Sequence, residues 1–333
     1  MLASTNRTME ILSDPGAVCL GKKENFPQSS QRPQRKRNLV LLCELGVLCV
    51  RRLLFYARLA ILMVSAASIA FSQQHQKPAD PIDLSKYKLS LVYQNDFNRP
   101  QRIVFERELT GKLGSGEVMR TSMPVKNAVW IVEGTGGVDI RGGKLRVSPL
   151  PFDVKGEQIK SGERSHMVVW NNKVFPADLM IEFDMSPSGS TNGLTILFFC
   201  AAGTNGEDIF DESLPPRNAD YKNYHSGAIA NYSDAYWSRN TQEEASTNRL
   251  RKNPGFALVA EGDSLTLGAT NVTHHVRVLK SGAHIEVEIN GRVVLNWDDP
   301  NKPLAEGRIG FRSMSGVSMI AYDNLKVWKV SKK

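Results

Sequence analysis

A chain of 333 residues, 41% apolar and 23% charged, can bury a sizeable core and is not disordered throughout. The formal net charge of +8 raises the question of a nucleic-acid partner, but residues 1–72 hold 10 Lys and Arg against 4 Asp and Glu, leaving 32 against 30 in the rest. That near balance removes any general electrostatic case for nucleic acid in the globular part.

Residues 1–50 read as a polar, disordered leader with the basic run Arg35-Lys36-Arg37, turning apolar but short from Asn38 to Val50. Arg51 and Arg52 then precede LLFYARLAILMVSAASIAF, which is interrupted by Arg58 and exits through Ala70-Phe71-Ser72. A basic flank, an apolar run and a small-x-small exit make 51–72 a secretory signal peptide, with a retained membrane anchor as the alternative. A signal normally opens a chain, so one reading places the translation start near Val50 rather than at Met1. The expectation is export, to periplasm, extracellular space or membrane anchor. Residues 73–85 read as a polar linker bearing Pro78 and Pro81.

From residue 86 to 333 the pattern is strand after strand. KLRV (144–147), HMVVW (166–170), LMIEFDM (179–185) and LTILFFC (194–200) are β-branched or aromatic runs separated by Gly, Pro, Asn or Asp. HHVRVLK (274–280), HIEVEING (284–291), RVVLNW (292–297), RIGFRSM (308–314) and AYDNLKVWKV (321–330) continue the series. Asn290-Gly291 between two alternating runs marks a two-residue hairpin turn. In HIEVEI the alternation puts Ile285, Val287 and Ile289 on one face and His284, Glu286 and Glu288 on the other. Only QEEASTNRLR (242–251) suggests a helix. Short strands without βα alternation predict an all-β jelly-roll sandwich of two antiparallel sheets. Cys200 is the one cysteine in this part, so no internal disulfide forms there, and it reads as a small buried hydrophobe.

Long segments resemble a known family. GRIGFRSMSGVSMIAYDNLKVW (307–328) looks like the closing strands, and YQNDF (93–97) like the opening one, of the concanavalin A-like lectin/glucanase superfamily. HMVVWNNKVFPADLMIEFDMSP (166–187), GEDIFD (206–211), YKNYHSGAIANYSDAYWSRN (221–240) and LRKNPGFALVAEG (250–262) are similar to its YesU-like family, domain of unknown function 1961. The resemblance spans about residues 90–330. It implies the jelly roll and an association with pectin-degrading systems, not a reaction type.

The residues themselves nominate a site. Tyr221–Asn240 packs Tyr221, Tyr224, His225, Asn231, Tyr232, Tyr236, Trp237, Arg239 and Asn240 into one stretch. Aromatic faces stack on sugars, while Asn, His and Arg hold hydroxyls and carboxylates. As an unbroken strand, YHSGAIANY puts Tyr224 with Ser226, Ala228 and Ala230, and His225 with Gly227, Ile229 and Asn231. Tyr224, His225 and Tyr232 are the candidate proton-transfer groups. His166, Trp170, Asn231, Tyr236, Trp237, Arg239, Asn240 and Arg251 are candidate glycan contacts, with Trp170 either a platform or a core residue. Glu207, Asp208, Asp211 and Glu261 are acidic candidates. The first three admit a hydrolase pair, oxygen ligands for calcium, or an ordinary acidic loop meeting Arg side chains. No zinc spacing, phosphate loop or serine elbow occurs, and no metal or other cofactor is expected apart from that calcium option.

Three function classes remain open. A lyase of uronate-bearing glycans would use Tyr or His as base and Arg or Asn to neutralise the carboxylate; a hydrolase would use the acids, although the superfamily's E-x-D-x-x-E pattern is absent. A non-catalytic carbohydrate-binding module needs only the aromatics and Arg. A structural envelope protein needs neither. The expected partner is a polysaccharide or oligosaccharide, with membrane only if the leader is retained.

Overall fold

The computed structural model describes residues 75–105, 110–112, 118–120, 128–153, 155, 157, 166–188, 193–239, 247–264, 271–314 and 319–333. The leader and signal segment expected over 1–72 lie outside the described residues.

In chain order the strands are β1 (His75–Gln76), β2 (Tyr87–Asn95), β3 (Ile103–Phe105), β4 (Thr110–Lys112), β5 (Val118–Arg120), β6 (Trp130–Gly134), β7 (Gly137–Arg141), β8 (Lys144–Ser148), β9 (Met167–Asn171) and β10 (Leu179–Ser188). β11 (Gly193–Gly203) leads through a long loop and one helical turn, α1 (Lys222–His225), to β12 (Ile229–Arg239), β13 (Thr247–Asn253) and β14 (Ala257–Asp263). β15 (His274–Ser281), β16 (His284–Ile289), β17 (Arg292–Asp298), β18 (Arg308–Ser313) and β19 (Met319–Lys332) complete the chain.

One sheet runs β1-β14-β13-β12-β11-β18-β9-β6-β3. The other runs β17-β16-β15-β10-β19-β8-β7, with β2 also paired to β19. The central ladders of both sheets are antiparallel. Their facing surfaces enclose one core built from Trp130, Val132, Met167, Val169, Leu197, Phe199, Ile309 and Phe311 on one side and Ile181, Phe183, Met185, Val276, Val287, Tyr322 and Val327 on the other. This is the two-sheet jelly roll that the strand pattern predicts.

Continuous apolar runs arise where both faces of a strand are covered. In LTILFFC, Leu197 and Phe199 enter the inter-sheet core, while Ile196 and Phe198 enter a second cluster on the outer face of the nine-stranded sheet. HMVVW divides likewise, Met167 and Val169 inward, Val168 and Trp170 outward. The outer cluster is closed by Ile209, Leu214, Ala219 and Tyr224 from the segment between β11 and β12. Burying a Phe or Leu side chain stabilises by about 1.5–3 kcal/mol, so this cover belongs to the stability of the fold.

The Asn290-Gly291 turn forms as read, with φ of 52° and 75° joining β16 to β17. Ile285, Val287 and Ile289 are buried on one face. Glu288, expected on a solvated face, is buried too, because its carboxylate accepts from the Ile82 amide at 2.8 Å and pairs with Arg277 at 2.7 Å. The stretch 73–85, read as a linker, is held against the sheets where it is described. β1 pairs in parallel with β14, Ala79 bridges to Val293, and Ile82 packs with Met180, Leu279 and Val293. The helix read over 242–251 is also corrected: Thr247–Asn253 is strand β13, recruited by pairing with β12 and β14, and 240–246 lies outside the described residues. Among the described residues no helix is long and apolar enough to cross a membrane.

Candidate functional site

The segment between β11 and β12 determines what the outer face of the nine-stranded sheet presents. Its acids are held by partners within the fold. Asp208 takes Arg308 through both carboxylate oxygens, with Nε to Oδ1 at 2.9 Å and Nη2 to Oδ2 at 2.6 Å. Burial alone would raise that carboxyl, but the Arg308 hydrogen bonds bring it below its ordinary value. Glu207 accepts from the Asn205 side chain at 2.9 Å, and Asp211 from the Ser213 amide and hydroxyl. Glu261 stands on β14 opposite Arg249 at 3.7 Å. Of the readings for this loop, the geometry matches carboxylates that meet arginine and fold turns. Among the described residues no group of three or more His, Cys, Asp or Glu could hold a metal ion.

Farther along, Arg217 pairs with the buried Glu133 of β6 at 2.6 Å, and Tyr224 donates its phenol to the other oxygen of the same carboxylate. Tyr224 therefore does not lie on a strand, as alternation suggested. It sits in α1, fully buried, its ring stacked on Phe198 at 5.3 Å. Burial, then the Glu133 charge, push its phenol well above the ordinary tyrosine range. Trp170 lies in the same layer, stacked on Phe198 at 5.5 Å and fully buried, so it is a core residue rather than an open platform. Its ring fits over the sheet because Gly310 stands opposite it; a Cβ there would lie 2.4 Å from the indole.

The remaining members of the aromatic stretch separate by strand alternation. Tyr232 and Tyr236 on β12 point between the sheets, where their hydroxyls bond to Asp299 at 2.6 Å and Tyr322 at 2.9 Å. Burial first, then the Asp299 carboxylate, raise the Tyr232 phenol beyond any use as a base near neutrality. Asn231 is buried, donating to the Tyr224 carbonyl at 2.8 Å. Trp237 and Arg239 occupy the end of β12, their side chains outside the described residues, as is Asn240. Cys200 is buried, and its thiol is pushed up to about 12 by burial.

An accessible group survives at the edge of this cover. Phe256, in the turn between β13 and β14, is 40% exposed. Arg251 lies over its ring at 3.9 Å and donates to its carbonyl at 3.1 Å. His225 contacts that ring at 4.6 Å and Tyr221 at 5.6 Å, and Tyr221 meets His225 at 4.8 Å. The His225 imidazole bonds to the Ser226 hydroxyl at 2.6 Å and is lowered in basicity by burial. On the far side of Tyr221 stands Arg312 of β18, its guanidinium 4.8 Å from the ring. His166, just before β9, shares the outer face with Val168, which is opposite Arg312. Burial, then Arg312, lower the His166 imidazole below its ordinary value.

The structure thus brings His166, His225 and Arg251 to one region and places Tyr224, Tyr232, Tyr236, Trp170 and Asn231 inside the protein. Sequence reading missed Phe256, Glu133, Arg217 and Arg312. For Arg312 a signal existed: alternation in RIGFRS sets Arg308, Gly310 and Arg312 on one face against Ile309, Phe311 and Ser313.

The family model described as Domain of unknown function (DUF1961) matches residues 118–327. The uncharacterized protein YesU of Bacillus subtilis (strain 168) is 32% identical over 213 residues, 62% of this chain and 90% of that protein. A crystal structure of a protein of unknown function with galectin-like fold from Bacillus subtilis is 28% identical, with a TM-score of 0.58, covering 74% of this chain and 100% of that one. The carbohydrate binding module CBM66 from Bacillus subtilis overlaps at 13% identity and a TM-score of 0.38, over 59% of this chain and 93% of that one, which is too loose a likeness to bear on ligands. With the strands from β5 to β18 and the outer-face loop inside the matched span, the chain belongs to the DUF1961 family, the YesU-like branch of the concanavalin A-like fold.

Proposed function

We propose that this chain is an exported carbohydrate-recognising protein that binds a uronate-bearing polysaccharide on the outer face of its nine-stranded sheet. The observation that carries the reading is Phe256, an exposed ring flanked by Arg251 and His225 and backed by Tyr221. An aromatic face left open to solvent beside a guanidinium and an imidazole offers a sugar its three usual contacts, stacking, charge pairing and hydroxyl hydrogen bonds. Export rests on the signal-like segment 51–72.

Binding is favoured over cleavage because the tyrosines best placed in sequence to move a proton are sealed and hydrogen-bonded to carboxylates. One observation supports a second reading. His225 stays partly exposed beside Arg251, and burial keeps its imidazole neutral and able to accept a proton near pH 7. A β-elimination would then take the proton beside the uronate carboxylate onto His225, form the C=C bond as the neighbouring C–O bond breaks, and release an unsaturated uronate and an alcohol whose oxygen takes a proton from solvent.

The full chain is incubated with pectic, algal and neutral polysaccharides while binding is followed by calorimetry and turnover by absorbance of unsaturated uronate. Phe256→Ala is expected to weaken binding by about 2 kcal/mol with an unchanged melting temperature, as for a contact aromatic. No binding to any polysaccharide would refute the proposal.

A further inference from the structure

We infer that Arg312, with His166 beside it, is a carboxylate-receiving subsite that selects acidic over neutral or esterified sugars. This rests on the glycan-binding reading above and assigns the charge selection to one buried residue.

Arg312 is fully buried, yet of its three nitrogens only Nη1 has a partner, donating to the Ala219 carbonyl at 3.0 Å. Nε and Nη2 have none. Those two nitrogens form the lateral edge of a guanidinium, the pair of parallel donors that matches the two oxygens of a carboxylate. The Ala219 bond and the rings of Tyr221 and Tyr224, at 4.8 and 5.6 Å, fix the plane of the guanidinium, so its fork is oriented before any ligand arrives. Pre-orientation lowers the entropy cost of binding.

The charge balance favours an anion over a water molecule. Glu133, two strands away on the same face beyond Val168, is already engaged by Arg217 and Tyr224. Arg312 has no ion pair of its own among the described residues; Asp220 and Glu133 act on it only at longer range. A guanidinium taken from water without a counter-ion in contact is expensive. A bound carboxylate supplies both a charge in contact and the two missing acceptors. His166 Nδ1 is likewise buried without a partner, and a neutral imidazole suits a sugar hydroxyl.

Tyr221 separates the fork from the Phe256 platform, touching Arg312 with one face and Phe256 edge-on. Its ring is partly exposed, so on this proposal a ligand reaches the fork by displacing that ring while the Ala219 bond and the Tyr224 ring keep the guanidinium in place. The sugar on Phe256 and the acidic group on Arg312 then belong to neighbouring parts of one polymer.

The test uses the full chain with hexuronate oligomers, their methyl esters, matched neutral oligomers and a sulfated oligomer. Titration calorimetry gives affinity, and the Nε–H resonance of Arg312 reports contact directly. Acid oligomers are expected to bind at least about tenfold more tightly than their esters and to move the Arg312 signal, and Arg312→Lys, which keeps charge but loses the fork, is expected to erase that preference. Equal affinity for acid and ester overturns the subsite while leaving glycan binding intact. Preference for the sulfated oligomer alone overturns the carboxylate assignment. Failure of every oligomer to bind, with a still Arg312 signal, overturns both readings. Should Arg312→Lys not fold, the ester comparison and the resonance on the native protein decide the matter.

Discussion

Asp234 gives the fold a pH dependence that one substitution can expose. It sits on β12, opposite Leu197 of β11 and Leu250 of β13, and is fully buried. Neither carboxylate oxygen has a hydrogen-bond partner. Burial pushes its carboxyl well above the ordinary aspartate range, so the folded protein holds a proton there that the unfolded chain releases near pH 3.9. Because the folded state binds more protons, stability falls as pH rises above the unfolded value, by about 1.36 kcal/mol per pH unit while the buried acid stays protonated. Asp234→Asn has nearly the same shape and does not titrate. Urea unfolding of both proteins at pH 5, 6 and 7 should show the variant gaining on the native protein as pH rises, by at most about 1.4 kcal/mol per unit, other titrations cancelling in the difference. A difference that stays flat over that range would refute the reasoning, since it would mean Asp234 has the same protonation in the folded and unfolded states.

Tyr224→Phe keeps the stacked ring but leaves one oxygen of the buried Glu133 without its donor; denaturant unfolding should show a loss of about 1–3 kcal/mol, while glycan affinity stays as in the native protein. Gly310→Ala places a methyl against the Trp170 indole and should cost about 1–3 kcal/mol, seen as a lowered melting temperature and increased indole fluorescence change on mild heating.

The strands were legible because each obeys a period that burial enforces. HIEVEI alternates, and its apolar set, Ile285, Val287 and Ile289, is the set that enters the inter-sheet core. LTILFFC and HMVVW do not alternate because a second cluster covers their outer face. What a period of two cannot tell is which face meets which layer. Tyr232 and Tyr236 looked like a platform together with Tyr224, yet two share the inner face of β12 and the third lies in a helical turn outside the sheet. The sequence left the acidic loop open among a hydrolase pair, calcium ligands and carboxylates meeting nearby Arg side chains; the partner of Asp208 is Arg308, a hundred positions away and set beside it only by strand order. Glu133, Arg217, Tyr224 and Arg312 meet for the same reason: β6, β9 and β18 are neighbours in the sheet, though far apart in the chain. Residues 242–251 suggested a helix from local propensity, and pairing on both edges of β13 overrode it.

The division of the outer face explains why recognition is read at one side of it. On β6, β9 and β11 that face carries Ile131, Trp170, Phe198 and Ile196, an apolar surface that must be covered, and the loop from β11 covers it. Its attachments are ionic as well as apolar, with Asp208 on Arg308 and Arg217 on Glu133; removing one partner of a buried pair such as the second costs about 3–5 kcal/mol. Farther out, Ile229 and Ala235 of β12 still belong to the outer cluster, while β13 carries the cationic Arg249 and Arg251 opposite Ala235 and Ser233. The loop's last turn ends at this boundary and delivers Tyr221 and His225 to it. One segment therefore closes the second core with its middle and supplies Tyr221 and His225, the groups proposed to face the glycan, with its end. A substitution that loosens the ionic attachments would then weaken recognition without touching a sugar, which is why the Arg312 assignment is tested by charge selectivity and a side-chain resonance rather than by loss of binding alone.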